Sequence, residues 1–275
     1  MSGFYEKLTA SWRSSGSMLC VGLDPDPSRL PAVVSSSPTP VFEFNRQIVD
    51  ATIDLVCAYK PQVAFYSAFG RESELEQTID YIKSLNPEIP VILDAKRGDI
   101  GSTAEMYARE AFERYGADAV TVNPYMGGDT LEPFLKYSDR GVVVLCHTSN
   151  PGSGEFQDME SEGRALYMAV AERASTAWNG NENVALVVGA TYPGMLGEVR
   201  KQVGNMPILV PGIGTQGGDI EQVLDQGLAD NGSGLVLNVA RSIIYAGNDQ
   251  DFAMAAREKA GLFLSAIEQA RENQS

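Results

Sequence analysis

The chain is poor in the residues that metal and disulfide chemistry draw on. It holds one histidine, His147, and three cysteines, Cys20, Cys57 and Cys146. Each cysteine sits in an apolar run without metal-ligand spacing, and an odd count argues against a disulfide framework, so all three read as small buried hydrophobes. No His/Asp/Glu cluster has metal-ligand spacing, and no Ser/His or Cys/His nucleophile pair is evident. His147, alone after an apolar run, reads as a structural residue. Long apolar runs are also missing. None approaches the roughly 18 residues of a membrane span, and the N-terminal MSGFYEKLTASWRSSGS has no apolar core of a leader peptide. These absences predict a cytoplasmic protein. Positive charge is scarce, with 21 Lys and Arg against 36 Asp and Glu and a net charge of −15, which argues against a nucleic-acid partner. An anionic ligand would need a local positive focus set against that field.

What is present is apolar and periodic. At 275 residues and 44% hydrophobic, the chain has material for one large core. Buried runs end near Asp24, Lys60, Asp94, Asn123, Cys146, Gly189, Pro211 and Asn238. They alternate with helical segments at the roughly 30-residue spacing of βα units. The runs are continuous rather than alternating, as expected of parallel strands covered on both faces. An α/β fold follows, with a (β/α)8 TIM barrel as the natural closure and a doubly wound open sheet as the second choice. One barrel domain accounts for residues 1–275, with an N-terminal helix over about 3–14 and a closing helix over about 251–271. AYKPQVAFY (58–66) reads as a strand and 161–178 as a helix. The stretch 25–40, with Pro25, Pro27, Pro31, Pro38 and Pro40, reads as a loop.

Chemistry concentrates in VILDAKRGDIGSTA, residues 91–104. Positions two apart on a strand share a face, so Asp94 and Lys96 project side by side, and Gly98 lets the chain turn and re-aim Asp99. The same residues would suit a solvated ion cluster in a loop. Against that, Asp24, Lys60, Asp94, Lys96, Asp99, Asn123, His147, Ser149 and Arg241 all follow apolar runs, where barrels build their sites. Two lysines (Lys60, Lys96) with two aspartates (Asp94, Asp99) form an array that satisfies its own charge on burial. PGIGTQGGD (211–219) before a helix, with Arg241 and Ser242 after the next strand, offers backbone N–H groups and a guanidinium to a phosphate. Alone, the glycine run would suit a plain turn. Residues 148–163 read as a loop over the mouth or a passive insertion.

DAKRGDIGSTA, preceded by AYKPQVAFY and followed by TSNPGS, PGIGTQGGD and ARSI, resembles the orotidine 5′-phosphate decarboxylases, in their longer form, from Asp24 to about Ile243. The resemblance implies a barrel homodimer that converts orotidine 5′-monophosphate to uridine 5′-monophosphate and CO2 with neither metal nor organic cofactor. It implies a charged tetrad of Lys60, Asp94, Lys96 and Asp99, with Asp99 supplied across the subunit interface. Asp24 and Lys60 would contact the ribose, joined by Thr103 from the neighbouring subunit. Ser149 would read the pyrimidine amide edge. Gln216, Arg241 and backbone N–H near Gly214 would hold the phosphate. Three alternatives remain at this level: a Mg²⁺-dependent sugar-phosphate decarboxylase or aldolase of the same barrel family, a Schiff-base aldolase using Lys96, and a non-catalytic phosphate-binding barrel.

Overall fold

The structure, a computed structural model, describes residues 3–214 and 219–273. Its centre is a ring of parallel strands: β1 (Leu19–Leu23), β2 (Ala58–Pro61), β3 (Ile92–Arg97), β4 (Ala119–Val122), β5 (Gly141–His147), β6 (Val184–Val188), β7 (Ile208–Pro211) and β8 (Leu235–Val239). Each strand pairs in parallel with its neighbours in chain order, and β8 returns to β1 with Cys20 opposite Asn238. Isolated parallel bridges, Tyr59 to Val91 and Gln62 to Asp94, join β2 to β3 and close the ring. The fold is therefore the (β/α)8 barrel expected from the alternation of runs, and the open sheet is excluded.

Two cores explain why the strands are apolar throughout. Outward residues such as Leu19, Val21, Val91, Leu93, Val142 and Val144 pack against the helical shell, while Cys20, Ala58, Ile92, Ala119, Ala185 and Val236 fill the interior. The interior set is small-sided at the bottom of the barrel. The N-terminal helix, α1 (Phe4–Ser15), completes it by inserting Phe4 and Leu8. Gly141 makes room: a Cβ there would stand 2.6 Å from the Phe4 ring and 2.7 Å from Ala119. Burial pushes the Cys20 and Cys146 thiols up to about 12, so both stay neutral and act as hydrophobes.

The shell follows the predicted helices closely: α2 (Pro40–Thr52), α3 (Glu72–Leu85), α4 (Gly101–Arg109), α5 (Glu132–Leu135), α6 (Leu166–Thr176), α7 (Pro193–Val203), α8 (Ile220–Gly227) and α9 (Phe252–Glu272). Three expectations needed correction. The strand read over 58–66 ends at Pro61, which has no N–H for the ladder, and Ala64–Ser67 turn into a short helix. The helix read over 161–178 begins only at Leu166. Before it Glu160–Ser161 and Arg164–Ala165 form a small hairpin, turned by the left-handed residues Glu162 and Gly163. The loop read over 25–40 contains short helical turns at Pro27–Arg29 and Ala32–Ser35.

Candidate active site

The end of β3 departs from a regular strand. Leu93 pairs with Val120 and Arg97 with Val122, so three residues of β3 (94–96) stand opposite the single Thr121 of β4. Within this bulge Lys96 adopts a left-handed backbone, φ 47°. Such a conformation costs a non-glycine residue about 1–3 kcal/mol and clusters at working sites. The side-by-side projection expected from strand alternation is thus reached by a different route: the bulge, not the pleat, turns Lys96 toward Asp94.

The resulting charge array is compact. Lys96 Nζ donates to Asp94 Oδ1 at 2.6 Å, and Lys60 Nζ donates to Asp94 Oδ2 at 2.9 Å. Asp24 Oδ1 lies 3.8 Å from Lys60 Nζ on its other side. Lys60 comes from β2 beside Gly22 of β1, where a Cβ would stand 2.6 Å from that of Ala240. Lys60 is 3% exposed and Asp94 6%, while Lys96 is exposed and reaches into the mouth. Burial works against the Asp94 carboxylate, but Lys60 and Lys96 outweigh it and hold its pKa well below the usual carboxylate range. Burial likewise opposes the Lys60 ammonium, yet Asp24 and Asp94 raise its pKa above the ordinary lysine value. Asp24 goes the other way: burial dominates over the attraction of Lys60, and its pKa is raised. The fold therefore holds Asp94 firmly ionised and leaves Asp24 the least comfortable charge of the group.

Lys60, Asp94 and Lys96 line a cavity of about 270 Å³ at the carboxyl end of the barrel, with Thr121, Leu145, Ser149 and Pro211. Arg241 is exposed and opens the short helix Arg241–Ile244 directly after β8. Gly214 turns with φ +82° beside Ser242, where a Cβ would meet the Phe263 ring at 2.9 Å. Gln216 lies outside the described residues.

Other predicted residues are not drawn in. The Asp99 carboxylate accepts the backbone N–H of its own neighbour Ile100, and Thr103 is exposed on α4. Arg97 anchors this helix by a paired hydrogen bond to Glu110 and a stack over the Tyr107 ring. Asn123 has a local duty, its side chain accepting from Tyr125 N to cap the turn after β4. His147, fully buried, packs edge-on to Tyr167 and Tyr192 with Nε2 3.0 Å from Asp158 of the following loop, as a structural residue would.

Sequence reasoning passed over Thr121. Its signal was slight, one hydroxyl inside the run AVTV, and a threonine in a strand is ordinary.

Ammonium and carboxylate groups clamped together at the open end of the strands mark this as a barrel enzyme whose working parts are fixed charges. The comparisons place it more narrowly. A family model described as orotidine 5′-phosphate decarboxylase / HUMPS matches residues 17–256, and the chain belongs to that family. It is 55% identical over 257 residues to the orotidine 5′-phosphate decarboxylase of Ralstonia pickettii, covering 94% of this chain and 95% of that one. The structure of the Leishmania donovani OMP decarboxylase superposes with a TM-score of 0.85 at 39% identity, over 98% of this chain and 99% of the other. That of a putative enzyme of the same activity from Toxoplasma gondii superposes with 0.88 at 38% identity, over 99% and 98%.

Proposed function

We propose that this protein decarboxylates orotidine 5′-monophosphate to uridine 5′-monophosphate and CO2 in pyrimidine biosynthesis, as a cytoplasmic homodimer whose active sites are shared between subunits. The observation that carries the reading is the Lys60–Asp94–Lys96 clamp at the floor of the cavity. When the bond from C6 to the carboxylate breaks, its electron pair stays on C6, in the plane of the ring, with no π-system to spread it. The Lys96 ammonium, already desolvated on one side by Asp94, stabilises that charge and then transfers its proton to C6. Asp94 holds the Lys96 ammonium in place through its Oδ1, and Lys60 keeps Asp94 ionised. The Lys60 ammonium also occupies the space between Asp24 and Asp94 that a divalent cation would need, which counts against the Mg²⁺-dependent alternative.

In this reading Asp24 and Lys60 contact the ribose hydroxyls and Ser149 reads the amide edge of the pyrimidine. Arg241, Gln216 and the backbone N–H groups around Gly214 hold the phosphate. The fourth member of the tetrad is Asp99 of the partner subunit, and the partner's Thr103 reaches the ribose. Support comes from the surface around these two residues. Ile100 is 62% exposed and Tyr125 82%, with Met106 and Met126 also exposed, along α4 and the turn after the adjacent strand β4. Apolar side chains bared together next to unused site residues suit a subunit interface. Three free, buried cysteines agree with a reducing compartment.

The deciding experiment follows the absorbance of orotidine 5′-monophosphate after addition of the purified protein in excess EDTA. Rapid loss with stoichiometric uridine 5′-monophosphate is the expected result. No turnover in EDTA, with Mg²⁺-restored activity on a sugar phosphate, would overturn it.

A further inference from the structure

The bulge in β3 creates a problem in backbone accounting. Residues 94–96 face one residue of β4, so the N–H groups of Ala95 and Lys96 have no carbonyl in the ladder to receive them. Donors withdrawn even partly from water are normally paired with another acceptor. Both find the same one. Ala95 N donates to Thr121 Oγ1 at 3.0 Å and Lys96 N donates to it at 2.9 Å. A hydroxyl has two acceptor sites and one proton. With both acceptor sites taken, the proton can only be given away, and it goes to Asp94 Oδ1 at 2.8 Å. That is the same oxygen on which the Lys96 ammonium rests.

We propose that Thr121 is the positioning residue for Lys96: one hydroxyl pins the left-handed backbone that aims the lysine and the carboxylate oxygen that receives its ammonium. The inference rests on the decarboxylase reading, and Thr121 touches the reacting atoms only through Asp94 and Lys96. No other polar side chain of β4 faces this site. Valine has the shape of threonine but neither accepts nor donates here, so Thr121→Val leaves two N–H groups without their acceptor and takes from Asp94 Oδ1 one of its two donors, leaving Lys96 alone on it. The bulge then has no reason to hold Lys96 at its present angle. Serine keeps the hydroxyl and loses only a methyl group.

The test compares Thr121→Val and Thr121→Ser with the wild type in steady-state decarboxylation, in binding of uridine 5′-monophosphate, and in thermal unfolding. A reacting group moved by an ångström or less can cost on the order of a hundredfold in rate. The expected result is a fall in kcat of about that size for Thr121→Val, with KM and product affinity within about twofold. Thr121→Ser should stay within about tenfold of the wild type by the same comparison. Should the valine variant fail to fold, Thr121→Ala removes the hydroxyl with no added bulk and must show the same split. An unimpaired valine or alanine variant overturns the proposal, as does a loss of product affinity as large as the loss of kcat, which a merely structural role would give. Turnover by the wild type, measured alongside, separates this result from the decarboxylase reading: a silent wild type overturns that reading, whatever the variants do.

Discussion

The Lys60 ammonium stands 2.9 Å from Asp94 Oδ2, and both groups are almost wholly withdrawn from water. Such a pair is costly to assemble and more costly to break. Removing one partner of a buried ion pair leaves an uncompensated charge, a loss of about 3–5 kcal/mol. Asp94 keeps its exposed partner Lys96 in Lys60→Ala, so the expected loss in urea denaturation is at the lower end, about 3 kcal/mol, and Lys60→Ala with Asp94→Ala should recover part of it. Additive losses would show that the pair is not coupled.

The two members titrate at opposite ends of the pH scale. Asp94 has a lowered pKa in the fold, so its contribution is present above about pH 3.9, the unfolded value, and fades as pH falls through the native one. Lys60 has a raised pKa, so its contribution is present below about pH 10.4 and fades as pH rises through the native value. Stability measured across pH should be flat with respect to this pair over the whole physiological range. Asp94→Asn should remove part of the acid limb and Lys60→Met part of the alkaline limb.

Asp24 bears the reverse sign. Its carboxyl is pushed up by burial, which means the folded state tolerates its charge poorly, and stability is gained as pH falls through the native pKa. Asp24→Asn is expected to raise the melting temperature at neutral pH, with the advantage shrinking as the pH is lowered. The same variant should bind uridine 5′-monophosphate less tightly, the usual exchange of stability for function at a working site. A variant less stable than the wild type at pH 7 would contradict this account of Asp24.

Sharing of sites between subunits can be tested by mixing. Lys96→Ala and Asp99→Ala should each be nearly inactive as homodimers, while Lys96→Ala keeps its affinity for product. If each site draws Lys96 from one subunit and Asp99 from the other, a heterodimer contains one intact site. Equal mixing with exchange should then restore about a quarter of wild-type activity. Failure to recover activity when subunits demonstrably exchange would place all four charges within one chain.

Arg241 is exposed, follows β8 and makes no part of the Lys60–Asp94–Lys96 clamp, so its effect should depend on the phosphate. Arg241→Ala is expected to lower kcat/KM strongly for orotidine 5′-monophosphate and far less for orotidine, which lacks the phosphate. Remote binding energy of this kind is used at the transition state. Equal losses on both substrates would assign Arg241 another role.

Much of this was legible along the chain. Apart from the strand read over 58–66, strand ends lay within a residue of those inferred everywhere but at β3, because parallel strands covered on both faces announce themselves as unbroken apolar runs. The charged residues were legible for the same reason, since a lysine or aspartate at the end of such a run has few other uses. The over-long strand at 58–66 and the missed hairpin at 160–165 were not, because each depended on a local event: a proline without an N–H, and a left-handed glutamate before a glycine.

By itself, then, the sequence determined the barrel, the end at which it carries its charges, and the family to which the motifs point. Periodicity and composition are properties of the chain and survive without coordinates. The bulge at Lys96, the opposed shifts of Asp24 and Asp94, and the three bonds on Thr121 were decided only by tertiary structure. They arise where β1 to β4 bring residues far apart in sequence within hydrogen-bonding distance, and where burial, rather than residue type, sets the energy of a charge.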